Sequence, residues 1–125
     1  MIEIGIKSET GLTVESRHTA IEVGSGELNV LATPSLLALM ENAAMNAVKP
    51  FLAPGETTVG GHISVSHLKP SPVGARITAL AEVVGVDGRK VSFRITAHDG
   101  DALIGEGEHT RFIVDAARFM NKLKG

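Results

Sequence analysis

A single glutamate lies where the sequence predicts an otherwise apolar, buried helix. Residues 33–52 read TPSLLALMENAAMNAVKPFL, and their apolar side chains cover more than half of a helical wheel. At about 100° per residue, Glu41 falls between Leu37 and Met45, outside the polar sector of this helix. A carboxylate in such a place is costly unless a partner or water satisfies it, and such groups are often functional. Glu41 is therefore a catalytic candidate, and the alternative is a helix-edge glutamate that reaches solvent.

His67 is the second candidate for chemistry, and Thr33 is the third. Strand alternation in GGHISVSH puts Ile63, Val65 and His67 on one face and His62 on the other. A strand histidine near a helix carboxylate can transfer protons or orient a nucleophile, whereas the alternative is a core histidine bonded to a backbone carbonyl. The Thr33 hydroxyl is expected to cap the helix, and a site role is compatible with that.

The pattern of elements predicts one α+β domain over residues 1–125. Ile2–Ile6 and Gly11–Val23 read as extended, Thr33–Leu52 as a long helix, and Asp115–Lys124 as a short terminal helix capped by Asp115. Four strands are expected between the helices: Thr57–Leu68, Ala75–Val86, Lys90–His98 and Ala102–Val114. Because an almost entirely apolar helix cannot lie on an open surface, an antiparallel sheet must curl around it.

Composition narrows the function classes. The formal net charge is −2 with both signs interspersed, and the chain has no Trp or Tyr, so neither a basic face nor base-stacking platforms for nucleic acid are expected. The acidic, alternating N-terminus is unlike a signal peptide, no apolar run is long enough for a membrane span, and cysteine is absent. These features favour a cytoplasmic protein without a membrane partner.

No cofactor or metal is expected either. The chain has no glycine-rich phosphate loop. Its five histidines are scattered, and His62 and His67 are predicted on opposite strand faces, so a metal site is not indicated.

Apolar residues in both phases of the last strands predict a second buried surface. They are Val83, Val84, Val86, Ile113 and Val114. A dimer formed through a sheet edge is the simplest way to bury such a surface.

The order of elements and several motifs resemble the hotdog fold, in which an antiparallel sheet wraps a long helix. From Leu12 to Phe119 the chain is similar to the fluoroacetyl-CoA-thioesterase-like branch of hotdog thioesterases. The helix pattern of that branch, a Thr followed eight residues later by a Glu, is met by Thr33 and Glu41. Its glycine seven residues before a strand histidine is met by Gly60 and His67. The turn PSPVG and the segment AHDGDALIGEGEHTRFIV also match.

The resemblance implies hydrolysis of an acyl-CoA thioester. Glu41 would be the nucleophile or the base that activates water, His67 would orient the thioester or move protons, and Thr33 would position groups by hydrogen bonding. The Gly60 N–H would face the thioester carbonyl, with Gly61 in the site wall. The resemblance also implies a homodimer or dimer of dimers with its site at a subunit interface.

One departure from the family pattern and several alternatives stay open. The segment VGSGELNVLA before the helix has no aromatic residue, so selectivity for fluoroacetyl-CoA is not implied and the acyl group is undetermined. The residues that could bind the CoA phosphates are the cations Arg76, Arg89, Lys90, Arg94 and Arg111. Most of them are expected to be solvated. A non-catalytic acyl-CoA-binding module, or an interaction protein with a structural Glu41, is the alternative. A hotdog hydratase would need an Asp before the helix, and no such Asp is found.

Overall fold

The fold consists of one long helix and one five-stranded antiparallel sheet that curls around it. The computed structural model describes all residues, 1–125. The helices are α1 (Ala20–Val23), α2 (Thr33–Val48) and α3 (Ala116–Leu123). The strands are β1 (Lys7–Thr13), β2 (Glu56–His67), β3 (Arg76–Asp87), β4 (Lys90–Asp99) and β5 (Ala102–Asp115). The strand order is β1-β3-β4-β5-β2, so β1 and β2 are the two edges. This is the α+β hotdog arrangement expected from the sequence.

Alanines let α2 lie close to the sheet. Seven residues of α2 are buried, among them Ala43, Ala44 and Ala47, and the facing strand β3 buries Ala79 and Ala81. Small side chains on both surfaces shorten the distance between helix and sheet, while larger residues such as Met40 and Phe93 fill the remaining core. None of the helices is long and apolar enough to span a membrane.

The four predicted strands after the helix are confirmed to within one or two residues at their ends. Both hairpin turns have two residues, Gly88-Arg89 and Gly100-Asp101, and the aspartate of each Asp-Gly pair is the last residue of the preceding strand. The φ angle is 61° at Gly88 and 60° at Gly100. This positive φ suits the tight turns that join twisted antiparallel strands. The terminal helix is also confirmed, because the Asp115 carboxylate accepts a hydrogen bond from the Arg118 backbone N–H at 2.9 Å.

The N-terminal prediction was wrong. Ile2–Ile6 is not a strand, β1 covers Lys7–Thr13, and the predicted extended segment continues into a 3-10 turn and α1. Thr19 caps α1 by accepting a hydrogen bond from the Glu22 N–H, and Gly24 ends it with φ 84°. These local cap signals outweigh the β-branched residues that suggested a strand.

The long helix ends four residues earlier than expected. The α-helical hydrogen bonding stops at Val48, and Lys49–Phe51 forms a 3-10 turn. Pro50 explains the difference, because proline lacks the N–H that would continue the helix and its ring clashes with the preceding turn.

The apolar residues that predicted a second buried surface do not all lie on one surface. Val83 is fully buried and Ile113 packs against the core, whereas Val84 and Val86 are exposed on the single chain.

Candidate active site

Thr33 and His67 meet at the N-terminal end of α2. The Thr33 Oγ1 lies 2.8 Å from the His67 Nδ1. The predicted capping role of Thr33 was wrong, because Ala32 is the N-cap residue and Thr33 is already helical. The Thr33 hydroxyl instead faces the end of β2. The two candidates therefore form a direct side-chain pair.

The surroundings of His67 suit a general base. Its Nε2 is buried without a hydrogen-bond partner, and burial lowers the pKa of the imidazole, an effect that the Lys69 backbone only partly offsets. The neutral ring is therefore favoured. A neutral ring that accepts the Thr33 hydroxyl at Nδ1 carries its proton on Nε2, and Nδ1 is then ready to take the hydroxyl proton. The predicted strand phase is confirmed, because Ile63, Val65 and His67 are partly buried while His62 is exposed.

A pocket of about 320 Å³ opens beside this pair. Its wall comes from α1, from the loop before α2 and from the residues after β2, including Ala20, Val30, Thr33, His67 and Pro70. Its volume lies at the small end of ligand pockets.

Glu41 lies at a second position, beside Gly60 and Arg111. Its side chain is 42% exposed on the single chain, and its Oε2 is 3.6 Å from Arg111 Nη1. A Cβ added to Gly60 would come within 2.8 Å of Glu41 Oε2. The absence of a side chain at Gly60 therefore leaves the space that the carboxylate occupies. Glu41 is neither buried among apolar groups nor simply solvated, because a buried arginine faces it.

Arg111 is one of the five cations that the sequence makes available to CoA phosphates, most of which were expected to be solvated. It is 6% exposed rather than a solvated surface cation. Its Nε donates to Thr58 Oγ1 at 2.8 Å, its Nη2 to the Thr58 carbonyl at 3.0 Å and its Nη1 to His109 Nε2 at 3.2 Å. Burial lowers the pKa of Arg111, and the Glu41 carboxylate partly restores it.

His109 completes this network and was not predicted as a site residue. Because Nε2 accepts from Arg111, the proton lies on Nδ1, which donates to the His62 carbonyl at 2.7 Å. Burial is the main cause of its lowered pKa. The signal was available in the sequence, since His109 and Arg111 share a strand phase with the buried-side residue Ile113.

The structure brings the predicted site residues together as two pairs, not as one cluster. Thr33 contacts His67, and Glu41 adjoins Gly60. Eight residues of helix separate Thr33 from Glu41, a rise of about 12 Å. Gly61 is the extra residue of a β-bulge, since the register with β5 shifts between Gly60 and His62, and it lies under the Phe112 ring. No group of three or more His, Cys, Asp or Glu side chains is arranged to hold a metal ion.

Comparisons with known proteins agree with this architecture. The family model for fluoroacetyl-CoA-specific thioesterase matches residues 14–117. A fluoroacetyl-CoA thioesterase from Streptantibioticus cattleyicolor is 40% identical over 95 residues, which cover 76% of this chain and 68% of that relative.

Two solved structures of a fluoroacetyl-CoA thioesterase superpose closely. One has a TM-score of 0.94 at 32% identity and covers 99% of this chain and 96% of its own. The other is a threonine-to-alanine variant in complex with fluoro-acetate, with a TM-score of 0.92 at 31% identity and coverage of 98% and 97%. The match to the family model spans most of the sheet and the whole of α2, so the chain belongs to the fluoroacetyl-CoA-specific thioesterase family.

Proposed function

We propose that this protein hydrolyses a short acyl-CoA thioester to a free acid and coenzyme A, at a site that contains Thr33, Glu41, His67 and Gly60. The observation that carries the proposal is the 2.8 Å contact between the Thr33 hydroxyl and a neutral, half-buried His67 beside a small pocket. Membership of a thioesterase family supports the same reaction class. The absence of aromatic residues from VGSGELNVLA leaves the acyl group to be measured.

The pairing of Thr33 with His67 favours attack by the hydroxyl. Thr33 Oγ1 attacks the thioester carbonyl carbon while His67 Nδ1 takes its proton, the C–S bond breaks, and the leaving thiolate is protonated by His67. An acyl ester on Thr33 then remains to be hydrolysed by water. The Glu41 carboxylate, held by Arg111, is the base for that water. The Gly60 backbone N–H is assigned to the developing oxyanion.

The separation between the two pairs supports a homodimer with shared sites. Strand β2 is an edge strand of 12 residues, so a second copy can pair with it antiparallel about a two-fold axis. If the axis passes midway between Gly60 and His67, Glu41 and Gly60 of one chain face Thr33 and His67 of the other. Each dimer then carries two sites, each built from both chains.

The first experiment measures release of CoA thiol from short, branched and aryl acyl-CoAs, fluoroacetyl-CoA included. We expect the wild type to hydrolyse at least one, and Thr33→Ala and Glu41→Gln to lower kcat/KM by about a hundredfold or more, while Thr33→Ser keeps much of the activity. Circular dichroism checks that the variants are folded. CoA binding without hydrolysis by the wild type would favour a non-catalytic binding module, and no binding at all would favour an interaction protein.

The shared-site arrangement has its own test in mixed dimers of Thr33→Ala and Glu41→Gln chains. A mixed dimer has one site with both substitutions and one site with neither, so random mixing restores about a quarter of the wild-type activity. A site contained within one chain would leave every site defective, and mixing would restore nothing.

A further inference from the structure

A second pocket, away from Thr33 and His67, combines cations with an exposed aromatic ring. It lies between α3, the end of β5 and the β3–β4 turn, and its volume is about 230 Å³. Its polar and aromatic lining is Arg89 from the turn, Asp115 from the end of β5, and Arg118, Phe119 and Lys122 from α3. Nothing in the reaction proposed above uses these residues.

The charge in this pocket is only partly balanced. Arg89 Nη1 is 3.2 Å from Glu56 Oε2 and donates to the Ile113 carbonyl at 3.3 Å. The Asp115 carboxylate caps α3. Arg118 and Lys122, which are four residues apart and therefore on the same side of α3, form no ion pair. Three cations against two carboxylates leave a local excess of positive charge in a chain whose net charge is −2.

The residue types fit a phosphorylated nucleotide better than other anions. Arginine and lysine bind phosphate oxygens through charge-assisted hydrogen bonds. The Phe119 ring is 37% exposed and offers a flat apolar surface on which a base can stack. A simple carboxylate ligand would use the cations and leave the ring without a role.

The pocket also lies beside the part of β2 that leads to Gly60, the neighbour of Glu41. Its wall residues Ile113 and Val114 pair with Thr58 and Thr57 of β2, only two and three residues before Gly60. A hollow lined by Met45, Lys49 and Glu56 continues from the one that contains Glu41, because Met45 lines both. Glu56 in turn bonds Arg89. The second hollow and the cationic pocket share no lining residue and meet at the Glu56–Arg89 ion pair. Together the three form the run of hollows along which a pantetheine arm is placed here.

We propose that Arg89, Arg118, Lys122 and Phe119 bind the phosphorylated adenosine end of coenzyme A, while the thioester lies at Glu41 and Gly60. This inference rests on the proposed function, since it assumes that acyl-CoA is the substrate. It selects Arg89 among the cations suggested by the sequence and adds two from α3. It also sets aside Arg111, which is buried at the opposite end of the run of hollows and bonded to Thr58.

The test compares three thioesters of one acid, joined to CoA, to dephospho-CoA and to pantetheine. In R118Q/K122Q we expect KM for acyl-CoA to rise about tenfold with kcat retained, a smaller rise for acyl-dephospho-CoA, and a change of less than about twofold for acyl-pantetheine. Lys7→Gln, on the exposed opposite edge strand β1, is the control and should leave all three KM values unchanged. Inorganic phosphate as a competitor shows whether the cations bind any phosphate or need the whole nucleotide.

The outcomes separate this inference from the proposed function. An unchanged KM for acyl-CoA in R118Q/K122Q, or an equal rise with acyl-pantetheine, would overturn the nucleotide pocket and leave the hydrolysis intact. If the wild type hydrolyses none of the thioesters, CoA binding by each variant is measured instead by calorimetric titration. Weaker CoA binding by R118Q/K122Q than by Lys7→Gln supports the pocket, and equal binding or none refutes it.

Discussion

At the residue scale, the most useful guide to candidate site residues was a polar side chain at a position where the helix or strand period predicts an apolar one. Glu41 and His67 were chosen as candidates in this way, and His109 and Arg111 carry the same signal in β5. Their exact partners could not be predicted, because periodicity gives the face on which a side chain lies and not the distance across the core. Thus Thr33 was expected to cap its own helix and instead bonds His67. Arg111 was one of five cations of which most were expected in solvent, and it is buried and faces Glu41.

Gly60→Ala tests whether the position of the Glu41 carboxylate matters for turnover. The new methyl group would lie 2.8 Å from Glu41 Oε2, so the flexible end of the side chain must move away. We expect kcat/KM to fall by about a hundredfold, because catalytic groups lose efficiency steeply when displaced. The melting temperature should change little, since no backbone atom is in the way. The melting temperature of the variant is measured in parallel with the thiol-release assay.

Gly85→Ala is the matched control for that substitution. It also lies in a strand, and its added methyl group would meet only Ser92 at 3.6 Å, an ordinary contact. Equal activity of the two alanine variants would show that the space beside Glu41 is not needed for hydrolysis.

At the element scale, long elements were predicted well and short ones poorly. The helix α2 and four strands follow from sustained periods of 3.6 and 2, and the Asp-Gly turns follow from local backbone preference. The helix α1 has four residues, too few for a period to appear, and its existence depends on the Thr19 cap and on Gly24. The sequence around α1 therefore read as a strand, although the structure uses α1 to line the pocket beside Thr33.

Gly24→Ala tests how far α1 depends on its terminal glycine. Gly24 has φ 84°, and an added Cβ would meet nothing within 4 Å, so the cost is backbone strain alone. We expect a loss of about 1–2 kcal/mol in the free energy of unfolding, measured by urea titration. Gly24→Asn should lose less, because asparagine tolerates the left-handed conformation. A similar loss in both variants would mean that strain at this position does not determine the stability of α1.

At the scale of the whole molecule, the apolar core and the polar site share one helix. The buried face of α2 packs on the sheet, while Thr33 and Glu41 project toward β2, the edge strand. The fold could be predicted because this helix is too apolar to stand alone. The division of the site into two pairs could not be predicted, because it depends on how β2 and β5 cross the helix. The same crossing buries His109 and partly buries His67, so the stability of the fold is linked to their titration.

The stability of the molecule should therefore depend on pH near neutrality. Burial lowers the pKa of both His67 and His109 below the ordinary value of 6.5, so the folded protein keeps them neutral where the unfolded chain already binds protons. The sign follows from linkage: the free energy of unfolding is highest above 6.5, decreases as pH falls through the interval between 6.5 and the lowered pKa, and then levels off. Urea titrations between about pH 5.5 and 7.5 measure this slope, above the range in which most carboxylates titrate. His67→Gln and His109→Gln should each flatten it, whereas His98→Gln, at a residue that contributes to neither lowered pKa, is the control. A slope that persists in the variant with both His67 and His109 replaced would assign the pH dependence to groups outside the two pairs.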